Sequence, residues 1–230
     1  MEGTEVRKLA ALEDSHWWYR ERRHLLAREL RTLTPGRALD VGAAGGGNTR
    51  VLVDHGWQAA ALEYGPEGAE VAAERGLPVL RADATALPVA GGTLDLVVAF
   101  DVLEHLLDHD ACVREVHRAL RPEGTFLVAV PCDPQLWSEH DVAVDHVRRY
   151  TRTTLGDLLA RGGFSVESMD SWNVLLRPVV ALRRRSSSGS DLSQLHPAVN
   201  LALRGVVTVE RVLPVTRLPG VSLLVRARRD

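Results

Sequence analysis

The chain has 230 residues, 45% of them hydrophobic, with a formal net charge of −2, which is enough apolar sequence for one sizeable core and too little charge bias to predict a polyanionic partner such as nucleic acid. Lys8 is the only lysine among 28 basic residues, so the arginine excess is a compositional habit and not a phosphate-recognition signal. Two cysteines, Cys112 and Cys132, provide neither a disulfide framework nor a metal cluster and suit a reducing cytoplasm, while Met1 to Ala10 lacks the apolar core of a secretion signal and no apolar run is long enough to span a bilayer.

In chain order, Ser15-His16-Trp17-Trp18-Tyr19 opens a helix predicted to reach about Leu33, with Trp18, Leu25, Leu26 and Leu30 available for burial. Helix neighbours sit about 100° apart, so Trp17 and Tyr19 cannot share one face with Trp18. They are read as a lid over a bound cation, the alternative being rings that glue the helix to the sheet edge. Ala38, Leu39 and Val41 then form a short buried strand carrying Asp40, and Gly42, Gly45, Gly46 and Gly47 form a turn that lets backbone approach a ligand closely. A second apolar run, Ala59 to Leu62, ends in Glu63, placed where a carboxylate holds the two hydroxyls of a ribose, with Tyr64 beside it. Gly42, Ala44 and Gly47 approximate the dinucleotide-binding pattern only with alanine in place of its middle glycine.

Further along, Pro66 to Arg75 fits a helix between Gly65 and Gly76, and Pro78 to Leu80 a third strand ahead of Asp83 and Ala84. Thr93 to Phe100 reads as the fourth strand, with Asp101, Glu104 and His105 just beyond it. Asp108 or Asp110 can cap a helix that carries Cys112, Val113, Val116, Ala119 and Leu120 on one stripe, before a Pro122-Glu123-Gly124 turn and a fifth strand ending at Pro131. A helix over Thr153 to Gly162 leads into a sixth strand, and Val221 to Arg228 supplies the last one.

Asp40-x-Gly42-x-Ala44-x-Gly46, with alanine replacing one glycine, resembles the D-x-G-x-G-x-G motif of class I S-adenosylmethionine-dependent methyltransferases. Four later segments resemble that family in the same order: Arg81-Ala82-Asp83-Ala84, Thr93 to Leu106, Ala119 to Pro131 and Thr153 to Phe164. The HWW-type beginning at His16, the His146-x-Arg148-x-Tyr150-Thr151 stretch and the ending Leu218-Pro219-Gly220-Val221-Ser222-Leu223-Leu224 are similar to a generically described subgroup of it. The resemblance implies an α/β fold: a Rossmann-like, seven-stranded, mostly parallel sheet sandwiched by helices, with strand seven antiparallel beside strand six. It implies S-adenosyl-L-methionine as cofactor and S-adenosyl-L-homocysteine as product. Asp40, Gly42, Ala44 and Gly46 would serve the amino-acid end, Glu63 and Tyr64 the ribose, Asp83 and Ala84 the adenine, and Phe100, Asp101, His105, Trp17 and Tyr19 would surround the rest, His105 as a structural residue.

A single domain over 1–230 is expected: an N-terminal helical lid at 1–35, a cofactor-binding core at 36–172, a helical insertion at 173–219 and the final strand at 220–230. The insertion, which includes Arg183-Arg184-Arg185 and a flexible Ser186 to Ser190 loop, has three competing uses: a wall of the acceptor pocket, a dimer face, or a surface for peripheral membrane contact. Polar residues beyond strand five are the catalytic candidates, because ligands bind outside the carboxyl ends of parallel strands. His140 or His146 could act as general base with Asp141 or Asp145 orienting it. A metal held by His140, Asp145 and His146 has little support from loop spacing, and the reading taken forward has no metal. The expected activity is methyl transfer to an oxygen or nitrogen of a small-molecule or sugar-containing acceptor, in secondary metabolism or glycan tailoring, by a cytoplasmic monomer or homodimer. An NAD-dependent oxidoreductase and a module that binds the sulfonium without transferring methyl stay open as alternatives.

Overall fold

A computed structural model describes residues 3–184 and 195–230. Arg185 and the expected Ser186 to Ser190 loop lie outside the described residues. Two helices, α1 (Gly3–Leu12) and α2 (Trp17–Leu30), precede an alternation of β1 (Arg37–Val41), α3 (Gly47–Asp54), β2 (Gln58–Glu63), α4 (Pro66–Glu74), β3 (Val79–Arg81), β4 (Leu94–Phe100), α5 (His109–Ala119) and β5 (Leu120–Pro131). A 3₁₀ turn (Pro134–Leu136) and the short α6 (Glu139–Ala143) lead to α7 (Arg152–Arg161) and β6 (Phe164–Trp172). The chain finishes with α8 (Arg177–Arg183), α9 (Pro197–Glu210) and β7 (Ser222–Arg229).

The strands form one sheet in the order β3-β2-β1-β4-β5-β7-β6, parallel except for β7, which runs antiparallel between β5 and β6. Parallel strands covered on both faces need continuous apolar runs. Val97, Val98 and Ala99 of β4 and Leu127, Val128 and Val130 of β5 meet that need, and all are buried. On α5, Asp108 caps the first turn by accepting from Ala111 N at 2.8 Å, and the stripe Cys112, Val113, Val116 and Ala119 is wholly buried against the sheet. Among the described residues, no helix is long and apolar enough to cross a membrane.

Element ends differ from the sequence reading for local reasons. His16 Nδ1 accepts from Trp18 N at 3.3 Å, so His16 is the N-cap and α2 starts at Trp17, and α1, a helix not expected from the sequence, precedes it. α2 stops at Leu30, short of Leu33. α7 begins at Arg152, one residue ahead of the expected Thr153, because Thr151 caps it by accepting from Thr154 N. Among its described residues the insertion holds two helices, α8 and α9, with α9 packed against α2.

Candidate active site

Strand order reverses between β1 and β4, and in open α/β sheets the crevice beyond such a switch point holds the ligand. A cavity of about 870 Å³ lies there, with its floor made by the ends of β1, β2, β4 and β5 and its roof by α2, α8 and α9. That is near the top of the roughly 300–1,000 Å³ range of small-molecule sites, with room for two ligands side by side.

One end is built by the glycine turn. Gly42 has φ +66, and a Cβ there would come within 2.6 Å of Val102 Cγ2, so only glycine fits. Ala44, where the motif has glycine, keeps the left-handed conformation at φ 48. Its N–H donates to Glu63 Oε2 at 2.7 Å, and Gly65 N–H donates to Glu63 Oε1 at 2.9 Å, which fixes the carboxylate at the cavity wall with lone pairs to spare for two hydroxyls. Asp83 accepts from Thr85 N and Oγ1, so it is held as a turn residue while also lining the cavity beside Ala84. Asp40 is fully buried below the turn. Its Oδ2 accepts from Thr49 Oγ1 at 2.7 Å, while Oδ1 has no protein partner, and burial pushes the carboxyl up to about 6. A glycine cradle, a pinned carboxylate and an orphaned buried oxygen together fit an adenosyl cofactor with a cationic amino-acid tail.

The roof is aromatic. Trp17, Trp18 and Tyr19 line the cavity, Trp18 also packing on Trp172 with ring centroids 6.0 Å apart. Arg22 lies over the rings of Trp18 and Phe100, 5.1 and 5.5 Å from their centroids, and its Nε sits 3.2 Å from Asp101 Oδ2. Asp101 itself is left-handed at φ 55, one of several non-glycine residues in that conformation around the cavity.

The loops after β4 and β5 bring imidazoles to the cavity. His105 and His146 stand 4.8 Å apart by ring centroid, with His140 6.3 Å from His146, and all three line the cavity. His146 Nδ1 lies 2.9 Å from Asp141 Oδ1. Asp141 is buried and also accepts from Ser138 N and from Arg149 Nη1 at 3.0 Å. Burial alone would raise its carboxyl, but the His146 hydrogen bond and the Arg149 and Arg184 guanidiniums outweigh that and hold it at about 2. Leu176, Val179, Val180 and Leu203 of the insertion complete an apolar wall.

The cavity therefore brings together Gly42, Ala44, Glu63, Tyr64, Asp83, Ala84, Phe100, Asp101, His105, Trp17, Tyr19, His140 and His146. Asp40, Gly46 and Asp141 lie behind its surface, so Asp141 acts through the lining groups it holds, His146 and Arg149 among them. Asp145 offers its backbone carbonyl to His105 Nδ1 at 3.2 Å, and among the described residues the ligand atoms that fall within 4.8 Å of one another are those of Glu104, His105 and His146, not of the His140, Asp145 and His146 set weighed from sequence. Sequence reasoning missed Glu13, which lines the cavity against Gly47 and pairs with Arg75 at 3.0 Å, and Arg22. Neither sits in a local motif.

A family model described as a methyltransferase domain matches residues 16–169. A probable S-adenosylmethionine-dependent methyltransferase of Mycolicibacterium smegmatis is 30% identical over 171 residues, covering 71% of this chain and 65% of that protein. A demethylmenaquinone methyltransferase of Corynebacterium urealyticum is 31% identical, over 51% of this chain and 49% of that one. The chain spans 60% to 65% of the length of the mycobacterial relatives it matches. In fold it is similar to the putative methyltransferase solved in complex with the Haloferax volcanii Trm112 activator, at TM-score 0.68 and 21% identity over 99% of this chain and 95% of that one. A Mesorhizobium loti S-adenosylmethionine-dependent methyltransferase gives TM-score 0.64 at 20% identity, over 94% of this chain and all of that one. With the family model spanning two-thirds of the sequence and the glycine turn, Glu63 and Asp83 facing one cavity, the chain belongs to the class I S-adenosylmethionine-dependent methyltransferases.

Proposed function

We propose that the protein transfers a methyl group from S-adenosylmethionine to a hydroxyl oxygen of a small molecule with an apolar body, and that α8 and α9 wall the acceptor's side of the cavity. The observation that carries this reading is the trio His105, His140 and His146, gathered on the wall of the same cavity that the apolar residues of α8 and α9 line. Imidazoles suit removal of a hydroxyl proton at neutral pH, whereas an amine acceptor needs no such group once it is neutral. When bound, the cofactor supplies an electrophilic methyl on a sulfonium. The protein's part is alignment: Glu63 grips the ribose, the glycine turn seats the amino-acid tail, Trp17 and Tyr19 cover the cation, and Asp141 fixes the orientation of His146.

Relatives named a demethylmenaquinone methyltransferase and a ubiquinone biosynthesis O-methyltransferase are consistent with an apolar acceptor. That narrows the sequence expectation of an oxygen or nitrogen on a small molecule or sugar. The test is incubation with methyl-tritiated donor and three acceptor sets: phenols and quinols, sugars, and amines. Label is expected in the first set. Transfer to amines alone, or to no set by folded protein that still binds S-adenosylhomocysteine, would refute it.

A further inference from the structure

Glu104 is fully buried, and neither of its carboxylate oxygens has a hydrogen-bond partner. A carboxylate in that position is expensive unless something cationic or protic satisfies it. Two imidazoles whose other nitrogens are already committed stand beside it, with Arg22 and Arg149 also acting on its charge. His105 Nδ1 is 3.2 Å from the Asp145 carbonyl and His146 Nδ1 is 2.9 Å from Asp141 Oδ1, so in each neutral ring the Nδ1 carries the proton and Nε2 carries the lone pair. His146 Nε2 lies 3.8 Å from Glu104 Oε1, and one ligand atom from each of Glu104, His105 and His146 falls within 4.8 Å of the others. An imidazole anchored through Nδ1 on a carboxylate or carbonyl, with Nε2 turned inward, is how metal-binding histidines are oriented.

The backbone holds this arrangement in place. Val147 N donates to the Glu104 carbonyl at 2.8 Å, stitching the loop after β4 to the loop before α7, and Asp145 takes a left-handed φ of 59 that presents its carbonyl to His105. Tetrahedral ligands with bonds of about 2.1 Å stand roughly 3.4 Å apart, so closure around an ion needs only small side-chain shifts.

We propose that Glu104, His105 and His146 bind one divalent transition-metal ion at the acceptor end of the cavity, leaving coordination positions open to the acceptor's oxygen. Two nitrogens and one carboxylate suit Zn²⁺, Fe²⁺, Co²⁺ or Mn²⁺ and not Ca²⁺, which prefers oxygen throughout. The inference rests on the methyl-transfer reading of the cavity and deepens it. A bound hydroxyl acidified by the ion gives its proton to His140, and its oxygen forms the new bond to the methyl carbon as the sulfur–carbon bond breaks, the bonding pair staying on sulfur. His146 is then a ligand and His140 the proton acceptor.

The experiment is calorimetric titration of Zn²⁺ and Mn²⁺ into chelator-treated full-length protein, with Co²⁺ absorption spectra as a second readout, in the presence of S-adenosylhomocysteine. One equivalent of ion is expected, with d–d bands for Co²⁺, and His105→Ala or Glu104→Gln should weaken affinity at least tenfold while His140→Ala leaves it within threefold. His105 is only half-buried, so its alanine variant keeps the test valid if Glu104→Gln fails to fold. No ion bound by wild-type protein that binds S-adenosylhomocysteine overturns the metal site and spares the methyltransferase reading. Ion binding without S-adenosylhomocysteine binding does the reverse. Equal losses in the His140 and His105 variants would place the ion elsewhere and also overturn the assignment.

Discussion

Burial with only half its partners makes Asp40 the residue whose charge state matters most. Its carboxyl is pushed up to about 6 chiefly by desolvation, with Glu63 adding to the rise, while the Thr49 hydrogen bond and Arg22 oppose it. The folded value lies above the unfolded one, so the folded chain holds this proton more tightly. Stability is therefore greatest below about pH 4 at this group and is lost as pH rises through about 6, by about 3 kcal/mol in total. Asp40→Asn is expected to raise the denaturation midpoint of ligand-free protein at pH 7.5 and to raise it much less at pH 4.5. Equal effects at both pH values would count against the burial argument. Because a cationic amino-acid tail needs the ionised form, donor affinity should rise between pH 5 and 7 in the wild type and stay flat in Asp40→Asn, read by calorimetry. At the turn, Gly42→Ala forces a Cβ into Val102 and is expected to abolish donor binding, and unchanged affinity in that variant would show that the turn does not seat the donor.

Among the elements, α2 separates the two roles its aromatic cluster could play. Trp17→Ala and Tyr19→Ala, which remove lid surface from the cavity, are expected to raise the donor dissociation constant severalfold with little change in melting temperature, whereas Trp18→Ala, which unpacks Trp172, should mainly lower stability. The reverse pattern would make the cluster glue. The capping of α5 gives a control remote from the cavity: Asp108→Ala is expected to cost about 1 kcal/mol in chemical denaturation with donor affinity intact. The strands and the helices between them were legible because their signals are local: an apolar run ending in an acid, a capping aspartate before a stripe, a glycine after a helix. α1 was not, since its anchor is Arg7 reaching Glu70 and Glu74 of α4, more than sixty positions away. The same holds for Glu13, whose partner Arg75 is 62 residues distant, and for Arg22, 78 residues from the Phe100 carbonyl it contacts. Glu104 sat in a legible motif, but its lack of partners depends on how the 141–147 loop folds over it, which no spacing reveals.

For the whole molecule, topology does most of the positioning. The reversal of strand order between β1 and β4 opens one crevice, and the loops that follow β1, β2, β3, β4 and β5 all reach it, so residues as far apart as Gly42, Asp83 and His146 share a cavity. The N-terminal helices and the insertion close it from above, tied to each other by Arg211 Nε, 3.1 Å from Glu21 Oε1, and by the Trp17 N–H, which donates to Asn200 Oδ1 at 2.8 Å. Calorimetric titration of S-adenosylhomocysteine into the full chain tests this account most directly. One equivalent should bind, with affinity at least tenfold weaker in Glu63→Ala; no binding by folded wild-type protein, or equal binding by the variant, would contradict it.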